Sequence, residues 1–345
     1  MNTNKRYVLL DPLRVILALY VFIFHAVGLI QGWNNDHTST LSYWARFGYL
    51  SVDAFFVISG FSIVVSTKQN KEWQIFLTKR LKRLIPGFIF VWTLESIIYV
   101  CIMGRNGLSN SKNLVNTFSY LLPTDFRDSA LRNFVAWSLA IEVTFYFIYL
   151  VYLASNKRFF ATSNIGVFQV TLFWLGLHYV AQFNLSQVPR FLSLGGFSSF
   201  FILGIALALF KDLKTKRESF LVLFFVTPLL FSQINSRCLS VGGVDIKYSH
   251  TLLIYSILIL SVVLAILLPQ PGRNRLLEKL GRSSYVMYLM GGSVGMFLLQ
   301  KLTRTYPLEI SILILLLFIV TISLIFEVIL QKTIEKLLFG RQLNS

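Results

Sequence analysis

Long apolar segments alternate with short polar and basic ones along the whole chain. A helix needs about 20 mostly apolar residues to cross a bilayer. Ten segments approach that length: residues 9–30, 48–66, 84–103, 136–154, 164–181, 192–210, 219–236, 250–268, 283–300 and 308–331. The longest connection, residues 104–135, lacks the hydrophobic pattern of a separate core. The pattern therefore predicts an all-α, polytopic membrane bundle of about ten transmembrane helices. This bundle is expected to form a single domain over residues 1–345, with no appended soluble domain.

Composition and charge support a membrane protein and indicate its orientation. Charged residues make up 14% of the chain, hydrophobic residues 55%, and the mean hydropathy is +0.66, whereas soluble domains carry about 25% charged residues. The net charge of +17 does not indicate nucleic-acid binding, because the basic residues lie between apolar segments. About twice as many of them fall on the N-terminal side of the bilayer as on the other side. The positive-inside rule then predicts an even number of spans with both termini cytoplasmic.

The first apolar segment, LDPLRVILALYVFIFHA, carries two ionisable groups, Arg14 and His25. Asp11 suits the N-cap of this helix, and Pro12 suits its first position. Eleven residues separate Arg14 from His25, so both lie on nearly the same helix face, about 16 Å apart along the axis. The orientation places Arg14 near the cytosol and His25 past the middle of the bilayer. Ionisable residues inside a span are expected to be functional.

Carboxylates and hydroxyls recur in the second and fourth segments. SVDAFFVISGF places Asp53 near the outer end of its span and Ser59 deeper. Asp53 either extends to water or pairs with another group. WSLAIEVTFYF places Ser138, Glu142 and Tyr146 at helical spacing. This spacing brings Glu142 towards the depth predicted for His25. The spacing does not show whether the helices that carry Glu142 and His25 are in contact.

A basic cluster, TKRLKRLIPGF, precedes the third segment. Arg80 and Arg83 are three residues apart and share one face if the cluster is helical. A pair of guanidinium groups suits bidentate phosphate binding. The alternative is a membrane anchor on anionic lipid.

These four motifs, in this order, resemble those of acyltransferase family 3, membrane proteins that O-acylate the sugars of surface polysaccharides and related lipids. The resemblance is specific over the first 150 residues. A later stretch, GRSSYVMYLMG, contains Tyr285 and looks like the family's Ser-Tyr helix, although many members end that motif with histidine where this chain has Gly291.

The resemblance implies a bacterial inner-membrane enzyme that uses acyl-CoA as its donor, with acetyl-CoA as the expected form, and a carbohydrate or lipid-linked glycan as its acceptor. It implies that His25 is catalytic and that Arg14, Arg80 and Arg83 bind the donor. His25 would either deprotonate the acceptor hydroxyl, with Glu142 or Asp53 stabilising the imidazolium, or accept the acyl group itself. The four histidines are scattered, so no metal is expected.

A transporter or glycan flippase is the alternative function, because transporters also bury ionisable residues within the membrane. Such a protein is expected to show an internal repeat with interrupted helices in matching halves. The polar motifs here are concentrated in the first four segments instead, which favours the acyltransferase.

Overall fold

The computed structural model describes residues 7–31, 40–69, 73–103, 135–155, 164–182, 196–212, 215–240, 248–272 and 274–339. Within these ranges the regular structure is helical. The helices are α1 Leu10–Gln31, α2 Thr40–Ala45, α3 Ser51–Gln69, α4 Trp73–Met103, α5 Ala136–Ser155, α6 Asn164–Gln182, α7 Ser198–Phe210, α8 Lys216–Ser240, α9 Tyr248–Leu267, α10 Arg275–Gly292, α11 Val294–Leu302, α12 Leu308–Ile325 and α13 Gln331–Phe339. A 3₁₀ turn, Arg46–Leu50, joins α2 to α3, and a π turn, Phe326–Leu330, joins α12 to α13. The expectation of an all-α fold is confirmed.

Each of the ten predicted segments overlaps a helix, but fewer helices qualify as membrane spans by length and composition. Five spans qualify among the described residues: Leu10–Gln31, Thr40–Thr67, Lys216–Asn235, Tyr248–Leu267 and Leu308–Ile334. Three shorter apolar helices lie at Trp137–Val151, Gly166–Gly176 and Ser198–Phe210. The number of ten spans and the cytoplasmic position of both termini stay predictions.

Two segments differ locally from the pattern. The segment predicted at 283–300 is divided between α10 and α11 by a break at Ser293, which follows Gly291 and Gly292. The basic cluster before the third segment is part of α4, which continues through Pro86. Proline is tolerated in membrane helices because neighbouring groups can satisfy the freed carbonyl.

Close helix contacts in the core depend on glycine. α3 packs most extensively against α7. A Cβ atom on Gly60 would lie 2.1 Å from the carbonyl oxygen of Phe201, and one on Gly204 would lie 2.1 Å from that of Val57. Gly60 therefore has a packing role, since small residues let membrane helices approach closely.

The second extensive contact joins α1 to α10. A Cβ atom on Gly281 would lie 2.4 Å from the side chain of Asp11. Asp11 is 2% exposed and lies in the first turn of α1, which begins at Leu10. The prediction that Asp11 is the N-cap is wrong, because backbone bonds from Leu10 and Asp11 to Tyr7 and Val8 start the turn earlier.

Candidate active site

Two adjoining cavities lie among α1, α3, α4, α5 and α10. The wider one, the entrance cavity, has a volume of about 740 Å³ and is lined near the ends of these helices that are predicted to face the cytosol. The narrower one, the inner pocket, has a volume of about 60 Å³. The residues that line both are Arg14, Ser62, Arg83 and Tyr285. The two spaces therefore adjoin at these residues, and together they define a route that narrows inwards.

Arg14 is fixed at the junction of the two cavities by polar contacts on both sides. Its Nη1 donates to Asp11 Oδ1 at 3.4 Å, and its Nη2 donates to Ser62 Oγ at 3.1 Å. Asp11 is itself held against Gly281 of α10. The guanidinium of Arg14 thus joins α1 to α3 and presents positive charge to the route.

Arg80 and Arg83 have different surroundings, although both belong to α4. Arg80 is 8% exposed, and its Nη2 donates to Ser66 Oγ at 2.6 Å. Its guanidinium carbon lies 5.2 Å from the ring centroid of Phe76 and 5.0 Å from that of Tyr146. Arg83 is exposed and lines both cavities. The structure therefore places only Arg83 of the predicted phosphate-binding pair on the route.

Glu142 lines the inner pocket with its carboxylate oriented by two hydroxyls. Ser59 Oγ donates to Glu142 Oε1 at 2.8 Å, and the Tyr146 hydroxyl donates to the same oxygen. The hydroxyls of Ser59 and Tyr146 lie 3.2 Å apart. Three of the predicted site residues therefore form one cluster. Among the described residues, both hydrogen bonds to this carboxylate use Oε1, so Oε2 can accept a proton or a hydrogen bond from another group.

The remaining wall of the inner pocket comes from Ser138 of α5 and two tyrosines of α10. The Tyr288 hydroxyl lies 2.7 Å from Ser138 Oγ, and Ser138 donates to the carbonyl of Val135 at 2.9 Å. The Tyr285 hydroxyl is buried and has no recorded partner within the described ranges. Because Tyr285 lines both cavities, its hydroxyl is placed to donate to a bound substrate.

His25 lies on α1, half-buried, with its ring centroid 4.9 Å from that of Phe24. It is not among the described residues that line either cavity. Its catalytic role and its proximity to Glu142 stay predictions. The outer connection, residues 104–134, lies outside the described residues.

Asp53 lies in a different polar group, fully buried at 0% exposure. Its Oδ2 accepts from Arg237 Nε at 3.3 Å and from the Tyr255 hydroxyl at 2.7 Å. Asp53 is therefore paired with other groups and does not extend to water. Asp53 ties α3 to α8 and α9, and it does not line either cavity.

Sequence reasoning missed several residues of the route. Ser62 and Ser66 follow Ser59 at intervals of three and four residues, so the three serines share one face of α3. This spacing is the signal that could have identified Ser62 and Ser66. Lys79 and Lys82 line the entrance cavity beside Arg83. Within the described ranges, no group of three or more His, Cys, Asp or Glu side chains could hold a metal ion.

Comparisons with known proteins agree with these motifs. A family model described as an acyltransferase domain, that of acyltransferase family 3, matches residues 7–336. The chain is 27% identical over 212 residues to the peptidoglycan O-acetyltransferase OatA of Listeria monocytogenes, covering 54% of this chain and 31% of the relative. It is 30% identical over 191 residues to the O-acetyltransferase OatA of Staphylococcus aureus, covering 50% and 29% respectively.

A third relative, an uncharacterised protein of Haemophilus influenzae, is 31% identical over 140 residues, covering 36% of this chain and 57% of the relative. The aligned residues thus span under a third of the length of the two OatA proteins. No solved structure matches the chain.

Proposed function

The chain belongs to acyltransferase family 3, and we propose that it is a membrane enzyme that moves an acetyl group from cytosolic acyl-CoA to a hydroxyl of a cell-envelope carbohydrate. Two relatives are named as O-acetyltransferases, and one of them is named for peptidoglycan. The observation that carries the proposal is the narrowing route, which is basic at its wide end and holds Glu142 at its narrow end. The bacterial inner membrane is the proposed location, since it separates cytosolic donor from envelope acceptor.

The wide end of the route suits the anionic part of the donor. Lys79, Lys82 and Arg83 line the entrance cavity. Coenzyme A carries a diphosphate, which binds well to guanidinium and ammonium groups. The slim pantetheine arm would then run past Arg14 into the inner pocket. This arrangement brings the thioester towards Glu142.

The narrow end of the route suits a short acyl group. A water molecule needs about 10–15 Å³ of such volume, so the inner pocket of about 60 Å³ has room for an acetyl group. A long acyl chain would have to displace the side chains of Phe55, Phe56 or Tyr288, which line this pocket. The pocket volume therefore supports acetyl as the transferred group.

In the direct reaction, the acceptor hydroxyl oxygen attacks the thioester carbonyl carbon. The ester C–O bond forms, the C–S bond breaks, and the hydroxyl proton passes to His25 and then to the departing thiolate. Glu142 stabilises the positive charge that develops as the proton is taken up. In the covalent alternative, an imidazole nitrogen of His25 accepts the acetyl group first and passes it to the acceptor.

The test uses the full chain in proteoliposomes with radiolabelled acetyl-CoA and a peptidoglycan fragment as the acceptor. We expect repeated turnover, with continued release of free CoA, only when acceptor is present, and a base-labile acetyl ester on the carbohydrate. The variant His25→Ala should lose at least about 100-fold in rate, the lower range for a general base. The matched control is His250→Gln, because His250 lies on α9 and contacts Tyr43 of α2, away from the first helix.

Two results would contradict the proposal. Transfer that persists in correctly inserted His25→Ala would exclude His25 from both reactions. Movement of the glycan across the bilayer without loss of thioester would identify a flippase instead. Acid-quenched protein that carries label on His25 would select the covalent reaction over the direct one.

A further inference from the structure

A second, strongly charged cavity adjoins the entrance cavity but not the inner pocket. This side cavity has a volume of about 380 Å³ and lies between α10 and the π turn with α13. Its charged lining consists of four basic residues and two carboxylates: Arg275, Lys279, Arg282, Lys332, Glu278 and Glu327. It shares Arg282, Glu327 and Gln331 with the entrance cavity and no residue with the inner pocket.

The two carboxylates of the side cavity are both engaged with a single arginine. Arg282 Nη2 pairs with Glu278, and its Nη1 lies 3.7 Å from Glu327 Oε1. Glu278 and Glu327 have side chains only 8% and 7% exposed, whereas Arg282 is 55% exposed. No ion pair is recorded for the other basic residues, Arg275, Lys279 and Lys332, within the described ranges. The side cavity therefore has positive charge available for an anion.

Helix geometry brings these groups to one place. Arg275, Lys279 and Arg282 are spaced by four and three residues, so they share one face of α10. Asn274 fixes the start of that helix by accepting from the backbone N–H groups of Leu276 and Leu277. The facing wall comes from the π turn, which puts Glu327 into both cavities and Val328 into the side cavity. Single π turns within helices are frequent at functional sites.

We propose that the side cavity binds the 3′-phosphate of acyl-CoA, with the adenosine placed between it and the entrance cavity. This inference rests on the proposed function. If the thioester lies in the inner pocket, the nucleotide must extend from the entrance cavity in the opposite direction. The side cavity adjoins the entrance cavity and shares no residue with the inner pocket, and a phosphate monoester carries the charge that Arg275, Lys279 and Lys332 can neutralise.

The experiment compares acetyl-CoA with acetyl-3′-dephospho-CoA as donors for the wild-type chain and for the double variant Arg275→Gln/Lys279→Gln. We expect the KM for acetyl-CoA to rise about tenfold in the variant, equivalent to about 1.4 kcal/mol. The KM for the dephospho donor should stay unchanged, because the group that the variant no longer binds is already absent. The kcat should be unchanged with both donors, which also shows that the variant folds.

The control variant is Arg217→Gln, a basic residue at the start of α8 that lines neither the entrance nor the side cavity. It should leave both KM values unchanged. An equal rise in KM for both donors in the double variant, or no rise for either, would overturn the inference. No transfer by the wild-type chain from either donor would be a failure of the proposed function instead.

Anionic lipid headgroups present the same phosphate chemistry, so the measurement is repeated in vesicles with and without phosphatidylglycerol. The inference requires that, in both kinds of vesicle, the double variant raises the KM for acetyl-CoA about tenfold and leaves the KM for the dephospho donor unchanged. An effect of the double variant that appears only with phosphatidylglycerol, and equally for both donors, would assign the side cavity to lipid and overturn the inference.

Discussion

Arg80 and Arg83 show how neighbours along one helix acquire different roles. Arg80 is enclosed between the rings of Phe76 and Tyr146 and donates to Ser66. Arg83, three residues later, is exposed to both cavities. A buried charge needs compensating contacts, and those of Arg80 are with α3 and α5, so Arg80 serves to hold α4 against these helices. Arg83 is the residue available to an anionic donor.

This difference predicts that an Arg→Gln substitution will affect binding at position 83 and stability at position 80. Arg83→Gln should raise the KM for acyl-CoA about tenfold, the effect of losing about 1.4 kcal/mol of binding, with little change in thermal stability. Arg80→Gln should lower the melting temperature in detergent, because it leaves hydroxyl and aromatic partners without their cation. Enzyme assays and thermal unfolding of both variants provide the check. An Arg80→Gln protein with normal stability and raised KM would contradict this division.

Glu142 carries a separate prediction at the same scale. Glu142→Gln keeps the size of the side chain and its ability to accept from Ser59 and Tyr146, but it removes the negative charge. We expect kcat to fall by about 10²–10⁴-fold, the range for loss of acid–base assistance, with little change in KM. Glu309→Gln, an exposed carboxylate of α12, is the matched control. A change in KM alone would make Glu142 a binding residue.

Site residues could be predicted where the signal is local in sequence. Glu142 and Tyr146 are one helical turn apart, and that spacing was enough to group them. The partners of Asp53 could not be predicted, because Arg237 and Tyr255 lie 184 and 202 residues away along the chain. The different surroundings of Arg80 and Arg83 could not be predicted either, because they depend on where α3 and α5 pack against α4.

At the scale of elements, the apolar pattern located the helices but not their ends or interruptions. The break at Ser293 lies inside one continuous apolar run, and α4 extends into a charged cluster that hydropathy alone assigns to a loop. Hydropathy reports the preference of residues for lipid, whereas helix ends are set by backbone hydrogen bonds and by glycine. The hydrophobic pattern therefore shows which residues prefer lipid, but it does not show where a helix begins, ends or is interrupted.

The contact between α3 and α7 predicts the effect of adding a single methyl group. Gly60→Ala would place a Cβ atom 2.1 Å from a backbone oxygen of α7, which no side-chain rotation can relieve. We expect a loss of about 1–3 kcal/mol, the typical cost of overpacking, measured as a lower melting temperature in detergent. Gly176→Ala is the control, because nothing lies within 4 Å of its added Cβ atom. Equal stability of the two variants would show that α3 and α7 are not closely packed.

At the scale of the whole molecule, the route and the orientation depend on each other. The entrance cavity is lined by Leu10 near the start of α1, Lys79 near the start of α4 and Gln331 after the π turn. These positions lie at ends that the charge bias assigns to the cytosol. Acyl-CoA is cytosolic, so the proposed function requires that assignment to be correct.

Labelling of single cysteines tests the orientation directly. In a chain carrying Cys101→Ser and Cys238→Ser, we expect Thr305→Cys to react with a membrane-impermeant maleimide in intact cells. Gly272→Cys should react only after the membrane is permeabilised. Both positions are exposed, and an added Cβ atom on Gly272 meets nothing within 4 Å, so labelling will report location and not burial. The reverse pattern would place the entrance cavity outside the cell. A cytosolic thioester could not then reach Arg83, and the proposed direction of acetyl transfer would fail with the orientation.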